Sequence, residues 1–403
     1  MKTKLKSLLV LVTLAGVLLS GCAVVSTPTT AQSTTVPPVA VPPPTRAPLP
    51  LSPTVVPPTR APSPLSPVAT PALSGPPTTL TVMTHDSFAA SDSVLKSFEQ
   101  QYNVNLNILK SGDAGAALNK AILAKGNPLA DVFYGVDNTF LSRALDADIF
   151  EPYMPQIPVG QMPPAQFLLD TANPPRVTPV DYGDVCINYD KAYFQQKGLA
   201  VPQTLEDLTK PEYKGLLVAE NPATSSPGLA FMLATVTHFG PDKFLDYWKQ
   251  LKANDVKVDD GWEAAYYTDF SGSSGKGPRP LVVSYASSPP AEVVFAKTPL
   301  TEAPTGSIIG DDTCFRQIEF VGVLKGAKHP ELARKFVDFM LSVKFQEDMP
   351  LQMFVFPVNP QAKLPDAFVK YAQVPPHPAT LPPQDIAQNR DKWIQEWTQT
   401  MLR

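Results

Sequence analysis

Residues 78–138 read TTLTVMTHDSFAASDSVLKSFEQQYNVNLNILKSGDAGAALNKAILAKGNPLADVFYGVDN, and the fold is decided in this stretch. Thr79-Leu80-Thr81-Val82-Met83 is a short run rich in β-branched residues. From Ser91 to Tyr102 the apolar positions Val94, Leu95, Phe98 and Tyr102 recur close to every 3.6 residues, the period of a helix. Asn105 to Leu109 reads as a second strand, Ala116 to Ala124 as a second helix, and Ala130-Asp131-Val132-Phe133-Tyr134 as a third strand. Alternation of strand and helix predicts an α/β fold whose parallel strands are covered by helices on both faces.

Working outward, Pro179 to Tyr189 reads as a strand long enough to cross between two lobes. Helices are expected near Pro227–His238, Asp242–Lys252 and Glu263–Phe270, and a strand at Leu281–Tyr285. Pro330 to Leu341 is amphipathic, with Leu332, Phe336, Phe339 and Met340 on one side, and Gln384 to Leu402 forms a last helix carrying Trp393 and Trp397. Buried tryptophans are usually core, and these two are read so.

Upstream the composition changes. Of 47 prolines, 17 fall between Ala23 and Leu80, too many for a packed domain. Proline removes backbone donors and fixes φ, so residues 23–77 are expected to form an extended spacer and not helix or sheet. At up to about 3.1 Å per residue it could reach on the order of 150 Å. Pro43-Pro44-Thr45-Arg46-Ala47-Pro48 recurs fourteen residues later as Pro57-Pro58-Thr59-Arg60-Ala61-Pro62.

Residues 1–22 read as an export signal. Lys2, Lys4 and Lys6 precede an apolar run from Leu8 to Leu19, shorter than the roughly 20 residues a spanning helix needs. Leu19-Ser20-Gly21-Cys22 resembles a bacterial lipobox, in which Cys22 would be lipidated and anchor the body outside the cell membrane. An ordinary signal peptide with an incidental cysteine is the alternative. Cys186 and Cys314 remain, and in an exported protein they are either a disulfide or two buried free thiols.

The net charge of −4 and the lack of any basic block argue against nucleic acid as a partner. Catalytic patterns are mostly missing. His85, His238, His329 and His377 are scattered, with no helical metal-ligand spacing, so no metal is expected. Gly272-Ser273-Ser274-Gly275-Lys276 has the look of a phosphate loop but lacks its upstream glycine, and Gly277 stands where serine or threonine belongs.

Polar and aromatic groups instead gather at strand-to-helix junctions, where open α/β sheets present ligand sites. Thr84-His85-Asp86-Ser87-Phe88 follows the first strand, Ser111-Gly112-Asp113-Ala114-Gly115 the second, and Asp137-Asn138 the third. Thr224-Ser225-Ser226-Pro227-Gly228 opens a helix, with Pro227 at its first turn, and such a terminus suits an anion such as phosphate. Each junction alone is ordinary turn and cap chemistry; their recurrence at one edge supports a site. Gly261-Trp262 follows two acidic residues, with Tyr266 just beyond, and Tyr285 ends a strand as Ser284-Tyr285-Ala286-Ser287-Ser288-Pro289. Aromatic faces beside carboxylates suit a flat organic cation through attraction of about 0.5–2 kcal/mol.

These residues resemble the thiamine-binding proteins of ABC importers, within the two-lobed type II periplasmic binding-protein fold. The resemblance runs from about Thr78 onward. It is carried by Thr84 to Phe88, Ala130-Asp131-Val132 with Gly135-Val136-Asp137-Asn138, Asp181-Tyr182-Gly183 and Asn188-Tyr189-Asp190-Lys191. Pro222 to Gly228, Gly261-Trp262 with Tyr266, Ser284 to Pro289, and Trp393-Ile394-Gln395-Glu396-Trp397 extend it. It implies a monomeric receptor, not an enzyme, holding thiamine or its phosphate esters as ligand, needing no cofactor, and delivering it to a permease. It places residues 78–182 and about 305–345 in one lobe. The other would hold 183–304 and part of 346–403, each lobe having a mostly parallel sheet flanked by helices. A receptor for ferric ion or another small solute on the same fold is the alternative, followed by an enzyme acting on a thiamine-like compound and by a surface adhesin.

Carried over by position, Asp113 and Ala114 would touch the ligand from the first lobe, and Ser225 and Ser226 its hydroxyethyl or phosphate end. Trp262 and Tyr285 would pack on the rings, with Ala286, Ser287 and Ser288 completing the pocket. His85, Asp86, Asp137 and Tyr266 join the candidate set. Three positions depart from the enterobacterial pattern. His85 and Asp184 stand where it has tyrosines, and Ala291 where it has an aromatic, which implies a cage reduced on one side. Asp184 either offsets the thiazolium charge or is a solvated hinge residue.

Overall fold

The alternation over residues 78–138 is reproduced in the computed structural model, which describes residues 75–274 and 276–403. The expected signal, Cys22 and nearly all of the proline-rich spacer lie outside the described residues, as does Gly275. Strand β1 (Thr78–Thr84) buries Leu80, Val82 and Met83, and helix α1 (Asp92–Tyr102) buries Val94 and Phe98. Helix α1 ends where Asn103 takes a left-handed φ of 50°, a conformation asparagine tolerates. Strand β2 (Val104–Lys110), helix α2 (Ala114–Leu123) and strand β3 (Val132–Asp137) follow. β1 pairs in parallel with both β2 and β3.

Helix α3 (Leu141–Asp146) and strand β4 (Phe150–Glu151) lead to the 13-residue strand β5 (Thr178–Asp190). Beyond it lie α4 (Lys191–Lys197), β6 (Leu217–Glu220), α5 (Ser226–Phe239), α6 (Phe244–Ala253) and β7 (Lys257–Asp259). The helix expected at Glu263–Phe270 is a π-helical turn, Ala264–Asp269, a form frequent at functional sites. Then come β8 (Leu281–Tyr285), α7 (Pro289–Val294), β9 (Thr305–Ile308) and β10 (Phe315–Leu324). The chain continues through α8 (Pro330–Met340), α9 (Val343–Gln352), β11 (Phe356–Pro357), α10 (Asp366–Tyr371) and α11 (Pro383–Met401).

The strands form one curled mixed sheet in the order β2-β1-β3-β10-β5-β8-β6-β7. Two parallel triplets, β2-β1-β3 and β8-β6-β7, are joined through the antiparallel pair β10 and β5. β5 links the triplets: Thr178–Val185 lies against β10, whereas Val185–Tyr189 lies against β8. β10, unread in the sequence, slips register at Glu319/Phe320 on the β5 side and at Phe320/Val321 on the β3 side. Such bulges bend a strand and re-aim its side chains.

The packing follows from composition. Helix α5 is apolar all round, and every residue from Ser226 to Val236 is buried between the sheet and its neighbours. Trp248 of α6 meets Trp397 of α11 edge to face, centroids 5.3 Å apart, so Trp393 and Trp397 are core as expected. Phe98, Phe336 and Met340 centre a second cluster under β1 and β3. Cys186 and Cys314 are bonded, closing the question the sequence left open. Among the described residues no helix is long and apolar enough to cross a membrane.

Candidate functional site

The site is assembled from loops at strand ends. After β1, Asp86 Oδ1 accepts the Gly112 N–H at 2.8 Å and the Asp86 N–H donates to the Gly112 carbonyl at 3.0 Å, tying the first junction to the second. Asp113 caps α2, its Oδ1 accepting the Ala114 N–H at 2.6 Å. Ser225 caps α5 through the Gly228 N–H at 3.4 Å. The π-turn lays Tyr266 under Trp262, centroids 4.8 Å apart and planes within 20°, with Tyr267 edge-on at 5.4 Å. Trp262 Nε1 donates to Ser284 Oγ at 2.9 Å, which fixes the indole's rotation.

Two contacts draw the junctions of the two parallel triplets together. Asp113 Oδ2 accepts the Trp262 N–H at 2.9 Å, and the Thr224 carbonyl accepts the Ala116 N–H at 3.2 Å. Gly115 permits the second approach, because a Cβ there would stand 2.9 Å from the Thr224 oxygen. Between the triplets lies a cavity walled by Trp262, Tyr266, Tyr267 and Tyr285, with Ser226, Ser288 and Asp113 at its polar edge.

Of the residues singled out in the sequence, His85, Asp113, Ala114, Ser226, Trp262, Tyr266, Tyr285 and Ser288 all line this cavity. The rest fall elsewhere. Asp86 faces the groove outside it. Ser225 is fully buried as a helix cap, while Ala286 packs against the disulfide and Ser287 is wholly enclosed. Asp184 is neither a counter-charge in the cavity nor a solvated hinge. It is buried and paired through both oxygens with Arg316, at 2.8 Å each. Arg316 needs a buried carboxylate partner there, and so Asp184 is spent.

Asp137 is also buried away from the cavity, accepting the Thr139 N–H at 2.6 Å and hydroxyl at 2.5 Å, with its Oδ2 unpartnered. Burial pushes its carboxyl up to about 7, against the Thr139 hydrogen bonds and with Glu319 adding to the rise. Its folded pKa exceeds the unfolded value of about 3.9, so its contribution is full below about pH 4 and lost as pH rises through 7. Asp137→Asn, which cannot ionise, should therefore gain stability relative to the parent between about pH 5 and 8 in thermal melts. A difference constant over that range would show that Asp137 is charged throughout.

Ser87 and Pro227, quoted in the sequence only as parts of their junctions, also line the cavity, and the sequence reading missed Tyr267, Glu319 and the segment Met353-Phe354-Val355, which line it too. Tyr267 adjoins Tyr266 and could have been found from the aromatic run. Glu319 sits mid-strand, and Phe354 in a connection, where no local pattern marks them. Phe354 packs with Ala291, at the position expected to lack its aromatic, so a ring from another element fills part of that side. It adopts φ 55°, uncommon for a bulky residue and a conformation that clusters at ligand clamps.

Beneath the cavity, Tyr134 Oη lies 2.6 Å from Asp181 Oδ2 and 2.7 Å from Glu319 Oε2. One phenolic proton can serve only one of them. Burial and the neighbouring Glu319 charge hold Asp181 well above the usual carboxylate range, so Asp181 carries the second proton. Glu319 is kept ionised: burial opposes this, but His85, Tyr134 and Asp181 bring its pKa below the ordinary value.

The family described as bacterial extracellular solute-binding protein matches residues 127–377. A thiamine-binding periplasmic protein of Salmonella typhimurium is 32% identical over 331 residues, covering 80% of this chain and 94% of that protein. One from Brucella suis is 31% identical, covering 79% and 91%. Among solved structures, a periplasmic thiamin binding protein superposes with a TM-score of 0.68 at 28% identity, covering 81% of this chain and 96% of that one. A ferric binding protein from Campylobacter jejuni superposes at 0.62 with 18% identity, covering 80% and 99%, a likeness of fold alone.

Proposed function

The chain belongs to the bacterial extracellular solute-binding protein family, and from that premise we propose that it is a thiamine receptor, not an enzyme, serving an ABC-transporter permease. The observation that carries this reading is the cavity wall. Trp262 stacked on Tyr266, with Tyr285 and the Asp113 carboxylate beside them, suits a flat aromatic cation. Ser226 Oγ is buried without a partner at the start of α5, and Ser288 also lines the cavity. They suit the hydroxyethyl group or the phosphate of an ester.

The two triplets act as lobes, divided near residue 182, with thiamine bound between them. Asp113 with Trp262, and Ala116 with Thr224, are contacts of the closed form. Ligand that touches both lobes shifts the population toward that form, and the permease reads it. The receptor works as a monomer, tethered outside the membrane through a lipid on Cys22. A ferric ion would need a set of free oxygen ligands. The Tyr266 and Tyr285 hydroxyls are already engaged by Glu292 and Gln317, so thiamine is the better fit.

Isothermal titration of about 10 µM protein with thiamine and its mono- and diphosphate tests the proposal, and saturable heat with at least one is expected. No heat with any of them would end it. Trp262→Ala should weaken binding by more than about 1 kcal/mol, roughly fivefold or more. Unchanged affinity would make Trp262 a packing residue only.

A further inference from the structure

His85 and Glu319 face each other on the floor of the cavity, His85 from the loop after β1 and Glu319 from the bulged part of β10. His85 Nε2 stands 3.5 Å from Glu319 Oε1 and makes no hydrogen bond within the protein. Both residues are at least nine-tenths buried, at 9% and 6% exposure. The imidazole is closely packed on its other sides. Gly135 lies under its edge, where a Cβ would come within 2.5 Å of Cδ2, and the Tyr134 ring sits 5.6 Å from it.

The ionisable groups facing His85 are acidic from every side: Asp86 beside it, Asp113 from α2, Tyr134 from β3 and Glu319 from β10. Asp137 and Asp181 lie behind Glu319 and add to the acid cluster. No lysine or arginine is among the described residues lining the cavity. In the empty receptor, among the described residues that line the cavity, the imidazolium is thus the cation available to the Glu319 carboxylate. Burial disfavours the charged ring, yet Glu319 first and then Asp113 and Asp86 outweigh it, so His85 holds its proton above the ordinary histidine range.

We infer that Glu319 is the counter-charge that selects a permanently cationic ligand, and that His85 neutralises it in the empty receptor and gives up its proton when the ligand arrives. The inference rests on the thiamine reading of the same cavity. A fixed positive charge near Glu319 repels the imidazolium and takes over its role, so the proton on Nε2 leaves to solvent as the cation enters. The sign follows. Below the pKa of His85 in the empty receptor, binding must expel a proton, and affinity falls as pH falls. Above it the ring is already neutral, and affinity levels off.

Titrating the protein with thiamine between about pH 5.5 and 8.5, in two buffers of different ionisation enthalpy, counts the protons released. Close to one proton should leave at the acid end and close to none at the alkaline end, with binding more than about tenfold weaker at the acid end. Glu319→Gln should bind thiamine more than about tenfold more weakly at about pH 8.5, with a cooperative melt showing that it is folded. His85→Gln should flatten the ratio between the two ends to less than about twofold and abolish proton release, and it carries the test if the Glu319 variant does not fold. Thiamine binding with no proton released, or a His85→Gln protein that keeps the parent's pH slope, would overturn this inference and leave the thiamine reading intact. No thiamine binding at any pH would overturn both.

Discussion

Asp113→Ala is expected to weaken thiamine binding by about 1.5–3 kcal/mol, on the order of 10–100-fold, the range for a hydrogen bond to a charged group. Asp113 does two jobs. Its Oδ1 caps α2 through the Ala114 N–H, and its Oδ2 reaches the Trp262 N–H across the cavity mouth. The first bond belongs to one lobe and exists whether or not the proposed receptor is closed. Its loss should cost about 1 kcal/mol of stability in the ligand-free protein. In the proposed closure the second forms only when Gly261-Trp262 comes up against α2, so its loss should fall on binding. Burial raises the Asp113 pKa, against the pull of the Trp262 and Ala114 N–H groups and of His85. Asp113→Asn keeps an acceptor oxygen without the charge and should lose less affinity than the alanine variant. Titration calorimetry on both, with melts of the free proteins, separates the two jobs. An alanine variant that binds thiamine like the parent would show that the Asp113–Trp262 contact is not part of the bound state.

Replacing Cys186 and Cys314 together by alanine is expected to cost about 2–5 kcal/mol of stability, the span seen when a native disulfide is removed. The bond joins residues 128 apart, linking the middle of β5 to the residue just before β10. In the unfolded chain it removes the freedom of a long loop, which in the chain-entropy picture approaches the upper end of that range. Both sulfurs are fully buried beside Ala286, so alanines avoid the second penalty that serine hydroxyls would add. Denaturant titrations of the variant and of the parent with and without reductant provide the measurement. A variant with the parent's midpoint would mean that the paired strands already hold β5 and β10 together without the bond. Ligand affinity should change little, since neither cysteine lines the cavity.

Periodicity made the first fifth or so of the body legible. β1, α1, β2, α2 and β3 are read to within about three residues; the first four are buried on one side, which writes a period into the sequence, and β3, buried throughout, is marked by its apolar residues Val132, Phe133 and Tyr134. β10 shows the converse. Phe315–Leu324 is buried along nearly its whole length, yet Arg316, Gln317 and Glu319 interrupt its apolar residues, so neither a continuous apolar run nor a clean alternation marks it. Helix α9 was hidden by Pro350, which falls within it yet is accommodated. At the site, the residues found beforehand are those at strand ends, where a glycine, a cap or an aromatic interrupts the pattern. Trp262, Tyr266, Tyr285, Asp113 and Ser226 were found in this way. Asp184 misled because an acid near a crossover looks free until Arg316, 132 residues later, is seen to claim it.

By itself the sequence determined the α/β class, the body beginning near Thr78, the two core tryptophans of α11 and the aromatic face of the cavity. Those properties depend on neighbours within a few residues, whose spacing fixes which side of an element is buried. The tertiary structure alone decided that Cys186 and Cys314 are bonded, that Asp184 is spent, and that Glu319 and Phe354 reach the cavity. Each of these is a pairing across a long stretch of chain, brought about by strands that cross between two halves of one sheet, and no local period records such a meeting.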